Sequence, residues 1–172
     1  MNAARRGRPT FGPLTQSPQA GWLFALTALA SFGAVGAALV SQHGFAMEPC
    51  PWCVLQRLVF VVIGLFALLG LVWRASAGTR VAGTFALMLA AAGLAAALWQ
   101  HFAAARSASC NLTLADRIMN VTGLNATLPA VFEARASCAD AAVSLFGVPY
   151  DFWSGALFAA IFVLMIVALR RA

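Results

Sequence analysis

Four cysteines carry the chemistry that this sequence offers: Cys50, Cys53, Cys110 and Cys138. The first two stand at Cys-x-x-Cys spacing in Glu48-Pro49-Cys50-Pro51-Trp52-Cys53-Val54-Leu55-Gln56-Arg57, just ahead of a long apolar segment. Pro51 suits the first turn of a helix, where its missing N–H leaves nothing unpaired. A helix starting there puts Cys53 in its first turn, and the positive helix end favours a thiolate over a thiol. Arg57 lies four residues on, hence on the same face, and acts in the same direction. A guanidinium costs about 2.5–3.5 kcal/mol at a bilayer centre and less near the edge, so it calls for a partner such as a thiolate or a carbonyl oxygen.

Other uses of such a pair fit less well. A zinc site usually shows two close Cys pairs, or a close Cys pair with a close His pair. Here Cys110 and Cys138 are far apart, and His43 and His101 are isolated. No metal is expected. Haem attachment fails because Val54 stands where a histidine should follow. Alone, Cys110 and Cys138 read as a structural clip. Beside an exposed Cys-x-x-Cys, a relay of electrons between the pairs is the better reading.

The rest of the chain positions these residues. It has 172 residues, 62% hydrophobic and 9% charged, against roughly 25% charged in a soluble domain. That composition indicates an integral membrane protein with one compact bundle. The net charge of +6 comes from arginine alone. Most arginines flank apolar runs, so topology explains them and nucleic acid is not implied.

Residues 1–20 are polar and broken by Pro9, Pro13 and Pro18, and read as a disordered cytoplasmic tail. Residues 21–172 read as a single domain with transmembrane helices at about 22–40, 51–73, 81–100 and 152–169. The first run is longer than the roughly 7–15 apolar residues of a signal peptide and is read as retained. Loops 41–50 and 101–151 join them on one side. Arg5, Arg6, Arg8, Arg74, Arg80, Arg170 and Arg171 lie on the other side, while all five acidic residues share the side of the cysteines. The positive-inside rule then places both termini in the cytoplasm and all four cysteines outside, where disulfides persist. Trp22, Trp73, Trp99 and Trp153 fall at segment ends, as interfacial anchors do. In the long loop, Leu112 to Met119 and Leu128 to Phe132 are expected as short interfacial helices. Asn111, Asn120 and Asn125 begin Asn-x-Thr triplets, which arise often by chance and are not expected to be modified. The expected fold is an all-α four-helix transmembrane bundle.

The stretch from Gln42-His43 through Pro49-Cys50-Pro51-Trp52-Cys53-Val54-Leu55-Gln56-Arg57 resembles the signature of the DsbB family, the inner-membrane thiol:quinone oxidoreductases. The similarity extends over most of the chain beyond the tail and includes Phe146-Gly147-Val148-Pro149 with Trp153-Ser154 before the fourth helix. Vitamin K epoxide reductase relatives share the chemistry but carry their Cys-x-x-Cys in a late helix. The resemblance implies that a periplasmic DsbA-like protein of thioredoxin fold attacks Cys110 of a loop disulfide. Cys138 then attacks Cys50 and frees Cys53, which passes electrons to a ubiquinone or menaquinone beside Arg57. By its place in the family pattern, His101 is expected near the quinone, although Phe102-Ala103-Ala104-Ala105 lacks a polar contact that some relatives carry there. His43 is expected to be a surface residue. Two alternatives remain: a membrane scaffold with structural disulfides or a metal site, and a reductase of the vitamin K epoxide reductase type running the relay backwards.

Overall fold

A computed structural model describes residues 17–73, 76–104, 113–141 and 143–172. The tail expected over 1–20 lies outside them up to residue 16, as do Cys110, Asn111 and Arg74. Among the described residues four helices are long and apolar enough to cross a membrane: α1 (Pro18–Phe45), α2 (Pro51–Val72), α3 (Ser76–Phe102) and α7 (Tyr150–Arg171). Between α3 and α7 come α4 (Leu114–Thr122), α5 (Leu124–Thr127) and α6 (Pro129–Phe132). A two-stranded hairpin follows, β1 (Ser144–Leu145) and β2 (Val148–Pro149). The fold is an all-α four-helix membrane bundle.

The first helix extends past the apolar run at both ends. Ser17 caps its start by accepting the Ala20 N–H, with Pro18 in the first turn. Ser17 Oγ also donates to the Arg171 carbonyl, and Arg171 donates to Gln19, so the polar first turn of α1 is tied to the last turn of α7. At the other end Gln42 and His43 stay helical because their side chains find partners across the bundle, and the chain turns at Ala46 in the left-handed region. Polarity predicted a loop at 41–50; tertiary hydrogen bonds extend the helix instead.

Aromatic rings packed on glycines hold the bundle together. Phe60 and Phe158 stack at 3.9 Å between centroids, and a Cβ on Gly93 would sit 2.3 Å from the Phe158 ring. Phe24 lies in the same way on Gly70, and Phe32 on Gly64. Without a hydrophobic drive between helices in lipid, such close van der Waals packing is what holds them. Ile63, Ile161 and Met165 complete a buried centre.

The long connection folds back over the start of α2. Thr113 and Asp116 form a capping box at α4, and Gly123 ends that helix with φ 66°. Met119 and Phe132 bury against Val54. The Arg135 and Ala136 N–H groups both donate to the Pro49 carbonyl, at 3.0 and 3.3 Å. Phe146 and Gly147 have positive φ at the hairpin tip, the combination a two-residue hairpin turn demands. The expected helices at 112–119 and 128–132 correspond to α4 and α6. Neither α5 nor the hairpin carried a periodic signal long enough to read.

Candidate redox site at the start of α2

The first turn of α2 spends its free N–H groups on sulfur. Pro51 has none to offer, and the Val54 N–H makes the first intrahelical bond, to the Cys50 carbonyl at 3.0 Å. The Cys53 N–H donates to Cys50 Sγ at 3.4 Å, making Cys50 the N-cap. The remaining donor, the Trp52 N–H, goes to the sulfur of Cys138. Orphan donors at a helix start favour negative charge on whatever they meet. Here they meet two thiols from distant parts of the chain.

Cys50 is fully buried and central to the cluster. Its Sγ lies 2.9 Å from Cys53 Sγ and hydrogen-bonds Cys138 as well. Donation to Cys138 and to Cys53, reinforced by burial, holds the proton on Cys50 and pushes its pKa up. Accepting that bond from Cys50, together with the one from Trp52, pushes Cys138 down. The loop thiol is thus the more readily ionised partner and rests against Cys50. Cys110 lies outside the described residues.

Arg57 does stand one turn below Cys53, but its hydrogen bonds go elsewhere. Its terminal nitrogen donates to Gln42 Oε1 at 2.9 Å and to the Val131 carbonyl, while Nε is buried without a partner. The sulfur of Cys53 instead meets Gln100, whose Nε2–H donates to it at 3.2 Å. Gln56 donates to Gln100 Oε1 at 2.7 Å, and Ser154 Oγ donates to Gln56 Oε1 at 2.6 Å. Gln42, Gln56 and Ser154 stand in the stretches that carry the family resemblance, but neither they nor Gln100 were given a role from the sequence. The signal was available: glutamines within apolar helices are costly unless hydrogen-bonded, and so mark polar networks.

These groups border a cavity of about 540 Å³. One side is largely alanine, with Ala34, Ala37 and Ala38 from α1 facing Ala156 and Ala160 from α7. Small side chains at these positions leave the space beside the two helices unfilled. Cys53, Gln56, Arg57, Gln100 and Ser154 line its polar side, with Glu48 and Asp151 also contributing to its wall. His101 does not line it. Its Nδ1 pairs with Asp151 Oδ2 at 2.8 Å, and it borders a separate space of about 240 Å³ between α3 and α7. Asp151 lines both spaces. His43 is exposed, with Nε2 3.2 Å from the Ala130 carbonyl.

The family model for disulfide bond formation protein DsbB matches residues 20–168, nearly the whole described bundle. The chain belongs to the DsbB family. Its relatives include disulfide bond formation protein B of Ralstonia nicotianae, 33% identical over 86% of this chain and 92% of the relative. The protein of the same name in Aromatoleum aromaticum is 33% identical over 87% of this chain and 90% of its own length. Disulfide bond formation protein B 1 of Pseudomonas aeruginosa is 32% identical over 87% and 95% respectively. As a DsbB-family member, this protein is a multi-pass membrane oxidoreductase of disulfide formation.

Proposed function

We propose that this protein reoxidises a periplasmic dithiol protein of the DsbA type and delivers the electrons to a quinone of the bacterial inner membrane, with both termini cytoplasmic and the cysteines outside. The carrying observation is that Cys53 borders a mostly apolar cavity of about 540 Å³ also lined by Arg57 and by the amide or hydroxyl side chains of Ser41, Gln56, Gln100, Tyr150 and Ser154. The unpartnered Nε–H of Arg57 is a donor with no protein acceptor, which suits a carbonyl ligand. A quinone held there supplies a two-electron sink, taking up two electrons and two protons per disulfide formed.

The chain's own residues perform the exchange. The partner's thiolate attacks Cys110 of the Cys110–Cys138 disulfide, and Cys138 leaves with the electron pair. The Trp52 N–H beside Cys138 favours that departure, since Cys50, then in its own disulfide, has no proton to donate. Cys138 then attacks Cys50 Sγ of the Cys50–Cys53 disulfide; the new S–S bond forms as the old one breaks, and Cys53 departs as a thiolate at the cavity wall. The contact between Cys138 and Cys50 supports this order. Gln42 and Val131 hold Arg57 at the cavity wall. His101 acts at one remove, by holding Asp151.

The test is quinone-dependent oxidation of a reduced thioredoxin-fold protein by the purified protein in lipid. Cys53→Ser should abolish it. Full activity in that variant would sink the reading.

A further inference from the structure

Cys53 ends a hydrogen-bond chain that crosses three helices. It runs from Ser154 on α7 through Gln56 on α2 to Gln100 on α3 and then to Cys53 Sγ. Both glutamines are buried, 3% and 7% exposed. As drawn by these contacts every donor points toward the sulfur, which favours the thiolate.

The position of Ser154 admits a second arrangement. Its Oγ lies 2.6 Å from Gln56 Oε1 and 2.9 Å from the Asp151 carbonyl, two acceptors for a single hydroxyl proton. If that proton turns to Asp151, Ser154 becomes an acceptor. Gln56 can then flip its amide to donate to Ser154 Oγ, and Gln100 can flip to donate to Gln56. The Gln100 carbonyl then faces Cys53, where it accepts from an S–H. Either direction satisfies every polar group in the chain, which buried amides require.

We infer that Ser154, Gln56 and Gln100 form a reversible hydrogen-bond chain that matches the charge of Cys53, Gln100 presenting its N–H to the thiolate and its carbonyl to the thiol. Gln100 touches the reacting sulfur and is a catalytic residue by that contact; Gln56 and Ser154 are positioning residues. The chain is neutral, so it changes polarity without moving a charge through the bundle. The inference rests on Cys53 being the sulfur that ionises, and adds to that reading the group that stabilises it.

Other groups also bear on Cys53. Cys50 and Cys138 lie at the head of α2, and Arg57 lies one turn below. Glu48, Tyr150 and Asp151 face the cavity, and Asp151 is held by His101. The α1 residues on the cavity wall, from Ala34 to Ser41, carry no charge. The experiment must therefore change only the neutral chain.

The measurement is the rate of iodoacetamide alkylation of Cys53 against pH, in full-length protein in lipid nanodiscs with the other three cysteines replaced by serine. Gln100→Met removes the donor with little change of volume, and should raise the midpoint by about one to two pH units. Ser154→Ala touches neither Cys53 nor Gln100, and should raise it on the order of half a unit by freeing the far end of the chain. A residue that only packs would leave both midpoints in place. An unchanged midpoint in either variant, when monodisperse, overturns the inference. Should Gln100→Met not assemble, Ser154→Ala decides alone. The readout uses neither quinone nor partner protein, so its failure leaves the proposed electron sink standing, and loss of quinone turnover with shifted midpoints leaves the chain standing.

Discussion

Arg57 donates to Gln42 Oε1 at 2.9 Å, so the charge that the sequence sets beside Cys53 is held by the last turns of α1. A backbone carbonyl of α6, that of Val131, takes a second bond from the same terminal nitrogen. The guanidinium therefore braces three elements around the cavity, while its Nε stays buried without a partner.

Arg57→Ala should raise the apparent KM for quinone at least about tenfold, since hydrogen bonds to a charged group contribute about 1.5–3 kcal/mol. Gln42→Leu should act in the same direction but less, because Val131 still holds the side chain. Thiol exchange with the dithiol partner should change little in either. Steady-state kinetics with a soluble quinone analogue separate the two steps, and an unaltered KM in Arg57→Ala would refute the assignment.

The two buried thiols should titrate in opposite directions. Cys138 is pushed below the usual thiol range by the bond it accepts from Cys50, so its thiolate persists as pH falls. Cys50 is pushed up by donating to Cys138 and Cys53, so it stays protonated as pH rises. In reduced protein, alkylation of Cys138 should therefore begin at lower pH than that of Cys50. Labelling across roughly pH 6–9, resolved by fragment mass spectrometry, checks the order against an ordinary thiol near 8.5.

Filling the cavity should uncouple the relay from its sink. Ala160→Phe places a ring where α7 faces the alanines of α1. Quinone-dependent turnover should fall strongly while Cys50–Cys138 disulfide exchange continues, because the sulfur cluster is bordered by α2, α3, α4 and the loop rather than by this wall. Parallel loss of both would mean the variant disturbs the whole bundle.

Gly93→Ala should cost stability without touching the chemistry. The new methyl would meet the Phe158 ring at 2.3 Å, and that ring is already stacked on Phe60. Overpacking of this kind costs about 1–3 kcal/mol. A lower melting temperature in detergent with near-normal activity below the transition is expected; equal melting temperatures would show that α3 can move aside.

Much of the molecule was legible in the chain because membrane insertion constrains sequence locally. Length, hydropathy and arginine placement each act on a single segment, and they set out four helices, their approximate ends and a bundle. Cys50, Pro51 and Cys53 likewise define an N-cap and first turn from near neighbours alone, and the structure has that turn. What only tertiary structure decided is how distant residues meet. Gln100 lies 47 residues from Cys53 in sequence yet reaches its sulfur, and Gln42 lies 15 residues from the arginine it holds. His101, expected near a quinone, pairs with Asp151, which lines the cavity, and itself borders the second space. No periodicity encodes those pairings, because each depends on the rotation of one packed helix against another. The sequence determined that sulfur chemistry sits at the head of a membrane helix; the packing determined which neutral amides surround the reactive sulfur and where the arginine is braced.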